Sequence, residues 1–156
     1  MVVAVLVLMS LSGCGLFQGD GKQQELERLL DENAEIAVMI DADATADEKT
    51  GVEARLKELP GVTAVSFEDQ ETAYAKAKKL WAEQNQPFPA SVTPETLPES
   101  FIVHFTDQAA VREVRDSPLQ AELKELPGVV DLVIRCTTID ECRVQMSPAP
   151  VVSQPR

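Results

Sequence analysis

The sequence predicts an α+β fold made of two βαβ units, and three observations carry that prediction. The hexapeptide KELPGV occurs twice, at 57–62 and at 124–129. Ahead of it, Val52, Leu56 and Leu59 in the first copy match Leu119, Leu123 and Leu126 in the second, and this i, i+4, i+7 spacing gives each copy one apolar helical stripe. A β-branched run follows each copy, at 62–67 and 129–135, and another precedes each helix, at 35–40 and 101–106. The order strand, helix, LPGV, strand is thus written twice. Two right-handed units of this kind pack as a split βαβ, ferredoxin-like sandwich, with helices on one face of an antiparallel four-stranded sheet. The repeated hexapeptide is then the helix-to-strand joint of each half, a mark of pseudo-twofold architecture and not of a duplicated active site.

Each element has a local reason to form. Thr45 with Glu48 makes a capping box for the first repeat helix, and Ser117 with Gln120 is expected to do the same for the second, with Pro118 at the favoured first helical position. Pro60 and Pro127 stop the two helices, and Gly61 and Gly128 supply the turns. Between the halves, residues 68–100 exceed what a strand connection requires. Ala73, Tyr74, Ala77, Leu80 and Trp81 mark an amphipathic helix over 69–84, followed by the proline-punctuated QPFPASVTPETLP. This segment reads as an inserted lobe. Outside the fold, 14–34 reads as a tether with a short helical patch at Leu26, Leu29 and Leu30, and 143–156 as a disordered, proline-rich tail. The folded domain is expected over 35–142.

The chain opens with MVVAVLVLMSLSGCG, an apolar run ending in small residues and a cysteine. This resembles a bacterial lipoprotein signal peptide over 1–13 with its lipobox, in which the Cys14 thiol receives the lipid. The apolar run is too short for a bilayer span, which takes about 20 residues. One feature departs from the pattern: no Lys or Arg precedes Lys22. With Cys14 lipidated, Cys136 and Cys142 form an even pair in an exported, oxidising setting, and a disulfide is expected. So short a loop contributes about 2 kcal/mol at most. The expected location is extracytoplasmic, anchored to the bacterial cell membrane through that lipid.

Composition narrows the function. A net charge of −12 argues against nucleic-acid binding, because phosphate neutralisation needs Lys and Arg in excess. Asp41, Asp43, Thr45 and Asp47 have the alternate spacing of a calcium loop, but Ala46 stands where glycine is needed and Val52 where a bidentate Glu is needed. These acids are expected to cap a helix N-terminus instead. His104 is the single histidine, on an expected strand with no nucleophile nearby, and reads as structural. Zinc wants four ligands, and Cys136 with Cys142 offers two. No phosphate-cradling glycine loop and no GxSxG occurs. The reading is of a non-catalytic protein without cofactor or metal.

The succession IAVMIDADAT, helix, LPGVTAVSF, helix-bearing insert, LPESFIVHF, helix and LPGVVDLV resembles the extracellular domain of FtsX, the permease-like cell-division protein that works with a cytoplasmic ATPase and controls peptidoglycan hydrolases. The resemblance covers roughly residues 35 to 135, and LPESFIVHF after an insert with bulky apolar residues is its most specific element. It implies a module whose lobe presents apolar side chains to a protein partner, a cell-wall hydrolase or another division protein. Family members carry four transmembrane helices. The sequence shows no comparable apolar run, and lipid on Cys14 would take over anchoring. The candidate contact residues are Tyr74, Leu80, Trp81 and Phe88, with Trp81 open to two readings, partner anchor or lobe core. A generic envelope lipoprotein and a protease propeptide-like inhibitor remain as alternative functions, since propeptides too carry a helix, PGV and strand on a ferredoxin-like fold.

Overall fold

A computed structural model of the protein describes residues 20–146. The expected signal segment with Cys14, and the tail beyond residue 146, lie outside the described residues. Strands β1 (Glu35–Ile40), β2 (Val62–Glu68), β3 (Glu99–Phe105) and β4 (Val129–Ile134) form one sheet in the order β2-β3-β1-β4. Every neighbouring pair is antiparallel. This interleaved order is that of the split βαβ sandwich. Helices α2 (Ala46–Lys57), α4 (Gln108–Arg115) and α5 (Leu119–Lys124) supply the other layer of the core.

Period-two burial along the central strands shows which face is covered. In β1, Ile36, Val38 and Ile40 are buried, and in β3 Phe101, Val103 and Phe105 are buried. They meet Val52, Leu56 and Leu59 of the first stripe and Leu123 of the second, together with Val111 and Val114 of α4. The duplicated stripe is therefore the core, although Leu119 and Leu126 sit at its margin, half-buried.

The LPGV joints are alike down to single hydrogen bonds. Val62 N–H donates to Leu59 O in the first joint and Val129 N–H to Leu126 O in the second. Gly61 has φ +73° and Gly128 φ +83°, the left-handed region in which glycine carries no steric cost. Each glycine carbonyl then reaches into the other half: Gly61 O accepts from Thr106 N–H, just past β3, and Gly128 O accepts from Asp41 N–H, just past β1. Arg55 of α2 and Glu122 of α5 add an ion pair at 3.0 Å between the halves.

The first capping box forms as the sequence predicts: Thr45 Oγ1 accepts from Glu48 N–H at 3.2 Å, and Glu48 Oε2 accepts from Thr45 N–H at 2.8 Å. The second does not. Ser117 Oγ accepts from Leu119 N–H at 3.3 Å and donates to Val114 O, and Pro118 is the cap residue without a side-chain cap. The reason is that the second repeat helix is two helices. Asp107 caps α4 by accepting from Ala110 N–H, and α4 ends at Arg115, so Ser117 sits in a tight corner between α4 and α5 and not at a free helix start.

The chain ends also differ from the expected tether and tail. Helix α1 (Asp20–Glu32) runs well beyond the short patch at Leu26, Leu29 and Leu30, and helix α6 (Ile139–Met146) takes in the first residues assigned to the tail. Both are held by α4. Gln108 donates from its side chain to Leu30 O and from its backbone to Asp31, while Arg112 donates to Thr137 O and Arg115 to Thr137 Oγ1. Residues 108, 112 and 115 share one helical face, and α4 is the strut that clasps both end segments. Its polar stripe runs beside the apolar Ala110, Val111 and Val114, which is why eight residues suffice for a helix here.

Candidate functional site: the inserted lobe

The lobe leaves the sheet at the end of β2 and returns at the start of β3. It contains α3 (Gln70–Glu83) and a single 3-10 turn at Pro94–Thr96. Asp69 starts α3 by accepting from Thr72 N–H at 2.8 Å, and hydrogen bonding from the Thr72 side chain, then from its backbone, holds the Asp69 carboxyl below the usual range. Asn85, at φ +53°, reverses the chain, with Gln86 N–H donating to Trp81 O. Asn tolerates this conformation better than most residues. The reversal brings Phe88 back over α3.

There the aromatics gather. Phe88 meets Tyr74 edge-on at 5.3 Å and Trp81 edge-on at 5.7 Å between ring centroids. Tyr74 and Trp81 lie two turns apart on one helical face, so a single returning ring touches both. Lys78, between them on that face, lies over the Tyr74 ring at 5.9 Å. No residue of α3 is fully buried. Tyr74 and Phe88 are half-buried, whereas Trp81 keeps 38% of its surface exposed and Leu80 52%. The structure thus brings Tyr74, Trp81 and Phe88 together in one stack and places Leu80 beside it. Trp81 is both a member of the small lobe core and an exposed edge of it.

At the lobe's root lies a residue that sequence reading took only as a strand end. Phe67 is 46% exposed, packs on Phe101 at 5.1 Å and carries Lys49 at 5.5 Å over its ring. Lys49 in turn pairs with Glu99. The available signal was position: Phe67 is the last apolar residue before the insert, at the edge of the sheet. A cleft of about 290 Å³ separates the lobe from the β1–α2 turn, lined by Ile40, Leu97, Pro98 and Val130 with Glu95 and Glu99.

The remaining predicted positions lie elsewhere. Cys136 and Cys142 are joined as a disulfide with Cα atoms 5.0 Å apart, closing the loop whose Thr137 is held by Arg112 and Arg115. His104 faces Glu35 across the β1–β3 pair, Nδ1 to Oε2 3.7 Å, on the sheet face away from the helices. Asp41 accepts from Asp43 N–H in a local turn, and Glu48 belongs to the capping box. Among the described residues no helix is long and apolar enough to cross a membrane, and no group of three or more His, Cys, Asp or Glu side chains is placed to hold a metal ion.

The architecture is a four-stranded ferredoxin-like sandwich whose lobe between β2 and β3 carries a partly exposed aromatic stack. The family described as the FtsX extracellular domain matches residues 33–135, most of the described chain, and the protein belongs to that family. Two solved structures are similar. Extracellular domain 1 of FtsX from Streptococcus pneumoniae, in complex with undecyl-maltoside, is 17% identical with a TM-score of 0.48, over 67% of this chain and 96% of that one. The large extracellular loop of FtsX in Streptococcus pneumoniae, solved in solution, is 21% identical with a TM-score of 0.46, over 65% and 98%. No curated protein matches the chain significantly. Membership makes the protein a non-catalytic extracellular module of the cell-division type, not an enzyme.

Proposed function

We propose that the protein is a lipid-anchored, extracytoplasmic binding module that recognises a cell-wall-remodelling partner, a peptidoglycan hydrolase or an associated division protein, through its inserted lobe. The observation that carries this reading is the exposure of Leu80 and Trp81 on a lobe that stands at one end of the sheet. Exposed aromatic and aliphatic side chains on a thin insertion have no role in holding the sandwich together, and such clusters commonly anchor partners. The half-buried Tyr74 and Phe88 set the posture of Trp81 and contribute the flanks of the contact.

Topology supports the same arrangement. The beginning of β1 and the end of β4 lie at one end of the sheet, where Glu35 is within 3.7 Å of Arg135. The end of β2 and the start of β3 lie at the other, with Glu68 opposite Ser100. The chain-end helices and the lobe therefore occupy opposite ends of the sandwich. With lipid on Cys14, ahead of α1, the lobe would be held away from the membrane surface.

The test is recovery of envelope partners on wild-type protein and on Trp81→Ala. Loss of an anchor of this kind costs about 2 kcal/mol, roughly thirtyfold in affinity. A hydrolase retained by wild type and lost by a folded Trp81→Ala protein supports the reading. Equal retention sends the contact surface elsewhere. The lipid is tested separately: the mature protein should carry acyl mass and sediment with membranes, and Cys14→Ser should abolish both.

A further inference from the structure

Strand β4 is an edge of the sheet, and its sequence, VVDLVI, is apolar apart from Asp131. Val130 is 63% and Val133 39% exposed. An uncovered strand edge is a row of free backbone donors and acceptors. Which groups are free follows from the neighbouring ladder. Phe105 N–H donates to Ala34 O, so the alternation along β1 directs Ile36 and Val38 to β3, and Ala37 and Met39 to β4. Their β4 partners are Val133 and Asp131. The backbone groups of Leu132 and Ile134 therefore point outward. One of them is covered locally: Asp131 Oδ1 accepts from Leu132 N–H at 2.8 Å while also pairing with Lys124 at 2.9 Å.

We propose that this edge pairs with β4 of a second copy of the chain, antiparallel and centred on Val133. The two outward residues dictate the register. In a twofold arrangement Leu132 of each copy exchanges both backbone hydrogen bonds with Ile134 of the other, so Val133 stacks on its own symmetry mate. The same register sets Asp131 opposite Arg135 of the other copy, twice. Arg135 is available for this role, its side chain 79% exposed and its pairing with Glu35 a long one at 3.7 Å. On pairing, Asp131 releases Leu132 N–H to the new strand and turns to the incoming guanidinium. Two opposite-charge pairs flanking an apolar centre are what distinguishes self-pairing from adhesion of an arbitrary strand. The other edge, β2, lacks this self-complementarity: VTAVSFE carries no cation to set opposite Glu68. The inference stands apart from the lobe reading, since it uses neither the lobe nor a lipid.

Sedimentation velocity of the full chain carrying Cys14→Ser, at about 0.15 M salt where charge repulsion beyond about 8 Å is screened, tests it. The expected result is a concentration-dependent monomer–dimer equilibrium. Val133→Lys should displace it to monomer, and Arg135→Asp, which sets two carboxylates face to face, should weaken it about fivefold or more. Asp131→Lys alone should weaken it likewise, with two cations opposed. Mixing Arg135→Asp with Asp131→Lys should restore association, because the mixed pair is complementary at both positions. Circular dichroism confirms that each variant is folded. A chain that stays monomeric to about 0.5 mM, a dimer untouched by Val133→Lys, or a mixture no tighter than its components would overturn the proposal.

Discussion

Glycine at the two joints is required for different reasons at each. A Cβ at Gly61 would stand 2.6 Å from the Ala110 Cβ, closer than side chains ever approach, whereas at Gly128 the nearest atoms, Cβ of Ala44 and of Glu48, would be 3.2 Å away. Both positions have positive φ, which costs an L-residue about 1–2 kcal/mol. Gly128→Ala should therefore lose little beyond that backbone cost, because the Cβ atoms of Ala44 and Glu48 need give way by only a few tenths of an ångström. Gly61→Ala should lose clearly more, about 3 kcal/mol in all, because α4 must move to admit the methyl group. Urea unfolding of the two variants measures the difference. A sequence reader sees two equivalent glycines in two equal hexapeptides. The inequality arises from how closely the start of α4 approaches one joint and the start of α2 the other, and local pattern carries no trace of a contact made across the fold.

Among elements, the end clasp has a pH dependence of its own. Glu141 accepts from the backbone N–H of Thr137, from its hydroxyl and from Arg115, and these interactions, led by the backbone hydrogen bond, hold its carboxyl below the ordinary carboxylate range. A depressed folded-state pKa means that the charged form is favoured by folding. The contribution is present above the unfolded-state pKa and is lost as pH falls through the depressed value. Amide protection in α6 should thus fall on acidification while that of β1 and β3 persists, and Glu141→Gln should start from the weakened state and show less change with pH. Hydrogen exchange read by mass spectrometry reports both. The disulfide was legible from parity and compartment; the clasp was not. A helix of eight residues with a polar stripe reads as loop or helix with equal ease, and only the seated Leu30 carbonyl and Thr137 show what Gln108, Arg112 and Arg115 are for. The lobe helix, by contrast, was legible almost to the residue, because Asp69, the alanine and aromatic spacing, and the proline run each mark it independently.

On the scale of the whole molecule, the sheet order was readable from the duplication alone: two βαβ units with right-handed crossovers have few ways to share one sheet. The exchanged carbonyl bonds at the joints add something the duplication did not announce. Since Gly61 O holds the exit of β3 and Gly128 O holds the exit of β1, each half is completed by the other, and the strand order β2-β3-β1-β4 intercalates them so that β1 and β2 never touch. Neither half is a domain. A chain severed in the lobe near Asn85 should behave as a split protein: the two fragments, each lacking the strand that separates or flanks its own pair, should remain unfolded apart and regain the far-ultraviolet dichroism of the sandwich when mixed. The lobe is where the cut belongs, for it lies outside the interleaved sheet. The two similar halves thus stand to each other as the partners of an obligate heterodimer, joined covalently through the lobe.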